Sequence, residues 1–296
     1  MKDDITKSRL PIRLRWWLAG FLLLAVIAAF SYSRRDSDRE ELLQDLVDAG
    51  VSYSHPYYGD PYSLSTWRAY LPGSKEAEAV NWITADNHGR LTPELMSRMK
   101  MFDELQFLTI KGQELPPESY YDLDQFQRLG VLSISQAAID ENSFEAISNL
   151  PRLNSLHLDH LTLPGEFELR GVTFPALYRF SLIGTDVTDD FFADPKRFPA
   201  LGEVTLNSKR TTNQAVKHFA NITTITRLNL IGEQYTDEVL ETAEGIPSLN
   251  VLHLLDTAIT DEARDRFRES RPNVILVIED LPTDSPFHHS VEGAAE

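Results

Sequence analysis

His157, Asp159 and Ser181 are the residue types that serve as base, orienter and nucleophile in hydrolysis, and they recur close together in this 296-residue chain. His157, Asp159 and His160 are also metal-ligating types within four positions. Both combinations fall short of a working site. On a strand only His157 and Asp159 share a face, and one or two ligands do not hold a metal. A triad needs oxyanion donors and a pocket, which an open ladder of strands does not imply. No glycine-rich phosphate loop, HExxH helix or Gly-x-Ser-x-Gly elbow occurs. Cysteine is absent, which removes thiol catalysis, disulfides and cysteine-type zinc sites. The expectation is a chain with no catalytic residue, no metal and no cofactor.

The elements that position these side chains follow from an internal period. Leu105, Leu129, Leu153, Leu177, Leu201, Ile225 and Leu249 are spaced at 24 residues each time. Three and five residues after each anchor another apolar side chain appears, as in Leu156 and Leu158 or Leu228 and Leu230. A less regular copy begins at Val80, with Ile83 and Ala85, and a closing strand is expected at Val274 to Ile278, ambiguous by one residue. The alternation places the last two apolar positions on one face of a short strand. Beyond the strand a polar capping residue opens an apolar helical run, in Thr92-Pro93-Glu94, Thr188-Asp189-Asp190, Thr236-Asp237-Glu238 and Thr260-Asp261-Glu262; Asp140 and Thr212 fill the same slot. Threonine there caps the exposed amides of a helix start, and acidic residues suit the positive end of its dipole. The unit from 153 to 176 lacks this start, so its far side is expected to be irregular.

Each unit is one strand and one helix, too small to bury its own apolar face, and stacking eight of them closes a shared core. These residues resemble the leucine-rich-repeat family, closest to its short-helix variety with a strand–turn–Thr-Asp-helix pattern, over about two-thirds of the chain. The resemblance implies an α/β leucine-rich-repeat solenoid, with a curved parallel sheet on its concave side and short helices on its convex side. It also implies a non-catalytic interaction surface, without saying for which partner.

Repeat geometry then predicts which side chains are neighbours on the concave face. The central column reads Thr84, Thr109, Ser133, His157, Ser181, Thr205, Asn229 and His253. One flanking column reads Trp82, Phe107, Val131, Ser155, Arg179, Glu203, Arg227 and Val251; the other reads Asp86, Lys111, Ser135, Asp159, Ile183, Asn207, Ile231 and Leu255. Apolar residues gather at both ends and charges in the middle, a pattern of protein contact sites in which Trp and Arg are frequent anchors. The candidate protein- or peptide-binding residues are therefore Trp82, Phe107, His157, Arg179, Glu203, Arg227, Asn229, Val251, His253 and Leu255. The competing reading is that an N-terminal cap covers Trp82 and Phe107, while Val251 and Leu255 tuck under the C-terminal segment.

The flanks complete the organisation. Residues 1–15 are short and basic, and residues 16–33 contain no charge; bracketed by Trp16, Trp17 and Tyr32, they span roughly 27 Å as a helix. That length fits a transmembrane anchor contacting the lipid bilayer, against a cleaved signal peptide cut near Ala29-Phe30-Ser31 or a buried soluble helix. Five basic residues precede it and Arg34, Arg35 and Arg39 follow, which places the N-terminus in the cytoplasm and the larger body outside. Residues 36–79 are read as a cap, with a helix at Arg39–Ala49 stopped by Gly50, a strand at Val51–Ser54 and a second helix at Ser63–Leu71. Its Tyr53, His55, Tyr57, Tyr58, Tyr62 and Trp67 either pack inside the cap or form a binding patch. The repeats occupy 80–278 and a polar, disordered tail 279–296. Beyond residue 35 the chain holds 21 basic and 43 acidic side chains, a net of −22 that repels phosphate backbones and argues against a nucleic-acid partner. A membrane-held protein-binding module is the leading expectation, and an envelope scaffold without a specific ligand the alternative.

Overall fold

The computed structural model describes residues 37–54, 80–164 and 171–280. Ten strands form one sheet in chain order: β1 (Ser52–Ser54), β2 (Trp82–Ala85), β3 (Phe107–Lys111), β4 (Val131–Ser135), β5 (Ser155–Asp159), β6 (Arg179–Ile183), β7 (Glu203–Asn207), β8 (Arg227–Ile231), β9 (Val251–Leu255) and β10 (Ile275–Glu279). β1 is antiparallel to β2, and every later pair is parallel. This is a parallel-stranded solenoid, the architecture that the resemblance to leucine-rich repeats implies. The closing strand begins at Ile275 rather than Val274, because Leu276 and Ile278 pair with Leu252 and Leu254 and hold the 24-residue register.

The period arises from local chemistry at each strand's two ends. All seven anchors are buried, as are the paired apolar residues of β3 to β9, so one continuous core runs the length of the stack. Past the strand the chain turns through a left-handed residue at the same point of six units, Gly112, Gln136, His160, Gly184, Gly232 and Asp256 having positive φ, while Ser208 at the equivalent point after β7 does not. Gly184 is required on a second count, since a Cβ there would lie 2.7 Å from the His160 ring.

The convex side is less uniform than the sequence reading. α-Helices occur at α2 (Pro93–Arg98), α3 (Glu141–Ser148), α4 (Asn213–Phe219), α5 (Glu238–Glu244) and α6 (Asp261–Ser270), but Pro117–Gln125, Asp189–Phe192 and Pro195–Arg197 are 3₁₀ turns. The unit after β5 has no helix among its described residues. Where helix is scarce, phenylalanine fills the space: Phe174 stacks on Phe198 at 5.7 Å, and Phe180, Phe191, Phe192 and Phe219 complete the cluster.

Thr92, Asp140, Thr212 and Thr260 cap their helices as the spacing implied, each accepting from an amide two or three residues on. Thr188 and Thr236 make no such cap. The next residue has a role that a dipole argument does not supply. Asp189 accepts from the amide and hydroxyl of Thr212, both at 2.8 Å, and Asp237 does the same for Thr260. Between them, Asn213 accepts from the Thr236 amide at 3.1 Å and donates to its hydroxyl at 2.7 Å. Three consecutive units thus clamp the segment that follows the strand of their successor.

The first end of the stack is covered. A helix over 37–48, α1, buries Leu42 and Leu46 in the shared core, and Gly50 turns the chain with φ +73° into β1. Arg39 pairs with Glu104 and lies over the Phe102 ring, and Arg98 reaches Asp45 at 2.5 Å. Residues 16–33, the Ser63–Leu71 helix, the aromatic group of His55, Tyr57, Tyr58, Tyr62 and Trp67, and the tail from 281 lie outside the described residues. Among the described residues no helix is long and apolar enough to cross a membrane.

The clamp makes a stability prediction. Asp237→Ala removes both acceptors from Thr260 and costs about 1–2 kcal/mol in urea unfolding. Asp237→Asn, which restores the side chain used at Asn213, recovers most of that loss.

Candidate functional site

The concave columns are in the register that the period implies. Ser133, His157, Ser181, Thr205, Asn229 and His253 are successive cross-strand partners, and so are Ser155, Arg179, Glu203, Arg227 and Val251. Strand alternation turns these away from the buried leucines, onto the face that has no second layer among the described residues.

At the N-terminal end Trp82 is 49% exposed, so the described cap residues do not cover it. Its ring stacks on Phe107 at 5.4 Å, and its indole N–H donates to Thr84 at 2.9 Å. At the opposite end Val251, His253 and Leu255 are half-buried beside β10, and the imidazole of His253 lies 3.6 Å from the Glu279 carboxylate.

The middle of the face holds its charges. The Arg179 Nε donates to Glu203 at 2.7 Å, and the Arg227 Nε approaches the other carboxylate oxygen at 4.0 Å. Both guanidinium groups are about half exposed, while Glu203 is 21% exposed between them. Its hydrogen bond to Arg179 holds that guanidinium above its ordinary pKa, so the bracket carries two positive charges and one negative. Such rigid planar forks suit carboxylates and other planar acceptors.

The sequence reading passed over Tyr178, which stands just before β6 and is 43% exposed. Its ring crosses the start of β7, where a Cβ on Gly202 would lie 2.1 Å from it, and its hydroxyl reaches Thr226 at 3.4 Å. The signal was legible: a tyrosine followed 24 residues later by glycine, at the position that follows each anchor.

The imagined hydrolytic group does not assemble. The His157 Nε2 is hydrogen-bonded to Ser155 at 2.9 Å, and Ser181 is buried as its strand neighbour without a bond to it. Burial first, then the charge of Arg179, pushes the His157 pKa down against the opposing effect of Asp159. Burial raises the Asp159 pKa, against the charges of His157, His160 and Lys111, and its Oδ1 has no hydrogen-bond partner. Among the described residues no group of three His, Asp or Glu side chains is placed to hold a metal. Asn229 donates to Thr205 at 3.0 Å, tying two neighbours of the central column.

Comparison with known proteins adds little to this geometry. No family model matches the chain, and no curated protein matches it. Among solved structures it is similar to an internalin C2 of Listeria monocytogenes str. 4b F2365, with 18% identity over 55% of this chain and 76% of that one and a TM-score of 0.36. An internalin (inlF) of the same strain gives 10% identity over 71% of this chain and 84% of that one, with a TM-score of 0.28. At those values the likeness says nothing about what either surface binds.

The His157 environment has a pH signature. Its folded pKa lies below the ordinary 6.5, so the unfolded chain binds the proton more readily. This contribution to stability is present above pH 6.5 and is lost as pH falls toward the lowered folded value. His157→Gln flattens the slope of urea-midpoint stability just below pH 6.5, and a slope left as steep as before overturns this account of His157.

Proposed function

We propose that this chain is a non-catalytic protein-binding module whose concave sheet contacts a protein or peptide partner, held at a membrane by residues 16–33. The observation that carries the reading is the Arg179–Glu203–Arg227 bracket beside Tyr178, on a face that no second layer covers among the described residues. The buried rows and the polar clamps behind the sheet supply most of the contacts between units, and exposed ion pairs of this kind add little to stability. Exposed arginine and tyrosine next to a rigid sheet are the side chains that most often dominate protein contacts. Parallel strands about 4.8 Å apart give the face a length of roughly 35–40 Å, enough for a protein-sized contact. Trp82 and Phe107 at one end, and Val251, His253 and Leu255 at the other, supply apolar flanks to the charged middle.

The anchor rests on the uncharged run from Trp16 to Ser33, and its orientation on the basic residues before it. The acidic repeat body then stands on the extracytoplasmic side, and its net charge disfavours nucleic acid as partner.

Affinity capture with the full-length chain in detergent tests the binding face. Replacing Arg179, Glu203 and Arg227 together by alanine weakens the partner by about 30-fold or more, the loss expected when a dominant contact is removed. Lys217→Ala on the convex side has no effect. A partner retained by the triple variant assigns binding elsewhere. Topology is read separately: protease added to intact cells digests the repeat domain, and a protected domain reverses the orientation.

A further inference from the structure

The two ends of the sheet are finished differently. At the first end β1 runs antiparallel along β2, and α1 closes the core with Leu42 and Leu46. At the other end, β10 is paired on one side only, and among the described residues no strand lies along its outer edge. Its core-facing Leu276 and Ile278 are only partly buried, whereas their partners Leu252 and Leu254 are fully buried, and Ile275 is 62% exposed. Edges of this kind are normally blunted by lysine, proline or a bulge. Ile275-Leu276-Val277-Ile278-Glu279 has none of these, and its single charge stands at the end.

The backbone fixes what the edge can accept. Ile275 donates its amide to Asn250 and Glu279 accepts from the Asp256 amide, so both face β9. Alternation along the strand therefore leaves the amides and carbonyls of Leu276 and Ile278 pointing outward. We propose that this edge docks β10 of a second copy, antiparallel and centred on Val277. In that register Leu276 faces Ile278 of the second copy and the reverse, which uses every free backbone group of the strand in two closely spaced bonded pairs. The same pairing sets the two partly buried core rows against each other and places each Glu279 opposite Ile275, so no like charges meet. A register centred on Leu276 fails, because it needs the Val274 amide, which is already donated to Arg271. One centred on Ile278 pairs Leu276 with Asp280, outside the strand. The dyad lies perpendicular to the sheet, so both concave faces open to the same side.

The absence of cysteine makes the register directly testable in the full-length chain in its native membrane. In the proposed pair, Val277 meets itself at a non-hydrogen-bonded position, the closest cross-strand approach and one suited to a disulfide. Under oxidation, Val277→Cys gives about tenfold more covalent dimer than Lys217→Cys on the convex side. Ile275→Cys alone stays at the control level, and Ile275→Cys combined with Glu279→Cys cross-links again. Equal yields from Val277→Cys and Lys217→Cys overturn the proposal. So does a Val277→Cys dimer that forms only after residues 281–296 are deleted, since the chain's own tail would then occupy the edge.

Discussion

A five-residue strand with a single turn or short helix behind it cannot exclude water from its own apolar side chains. Each 24-residue unit therefore depends on the rows supplied by the units on either side. Burial in β3 to β9 is nearly complete for both core positions and for every anchor. Register cannot slip under this constraint, since a shift of one residue along any strand turns its leucines to solvent and its polar column into the core.

Polar groups inside and behind the stack are subordinate to that requirement and are satisfied across unit boundaries. Thr211 and Tyr235 hold positions where other units carry Leu115, Ile139 or Val187, and their hydroxyls bond each other at 2.9 Å with both residues fully buried. Gln113 accepts from the Leu91 amide and donates to three backbone carbonyls of the first turns. Together with the Asp–Thr and Asn–Thr clamps, these bonds couple each unit to the next by direction-dependent contacts, which the apolar rows alone do not provide. Burial drives the stacking, and at three junctions the clamps add directional bonds between one unit and the next.

Because most of the cohesion comes from the core and the side behind the sheet, the outward face tolerates polar, charged and aromatic side chains. The Arg179–Glu203–Arg227 bracket, the Tyr178 ring held against Gly202, and the Trp82–Phe107 stack sit on one rigid sheet at fixed separations set by strand spacing. For the proposed binding role this fixed spacing matters, because the entropy of positioning these groups is lost on folding rather than on contact with a partner.

From the sequence by itself come the period, the face on which each strand residue lies, and the neighbours within each column. These depend on one strand's alternation and on spacing along one chain, and both are local. Only the tertiary structure decided that Asp189, Asn213 and Asp237 serve the following unit, that His157 bonds Ser155 rather than Ser181, and that Tyr178 crosses Gly202. It also decided that short 3₁₀ turns packed with phenylalanine replace helices in the middle. Each of these outcomes is a competition among partners in different units, settled by side-chain direction and available volume, which one-dimensional spacing does not encode. The edge of β10, along which no strand lies among the described residues, is of the same kind, since a repeat pattern says what lies beside each unit and nothing about where the neighbours stop.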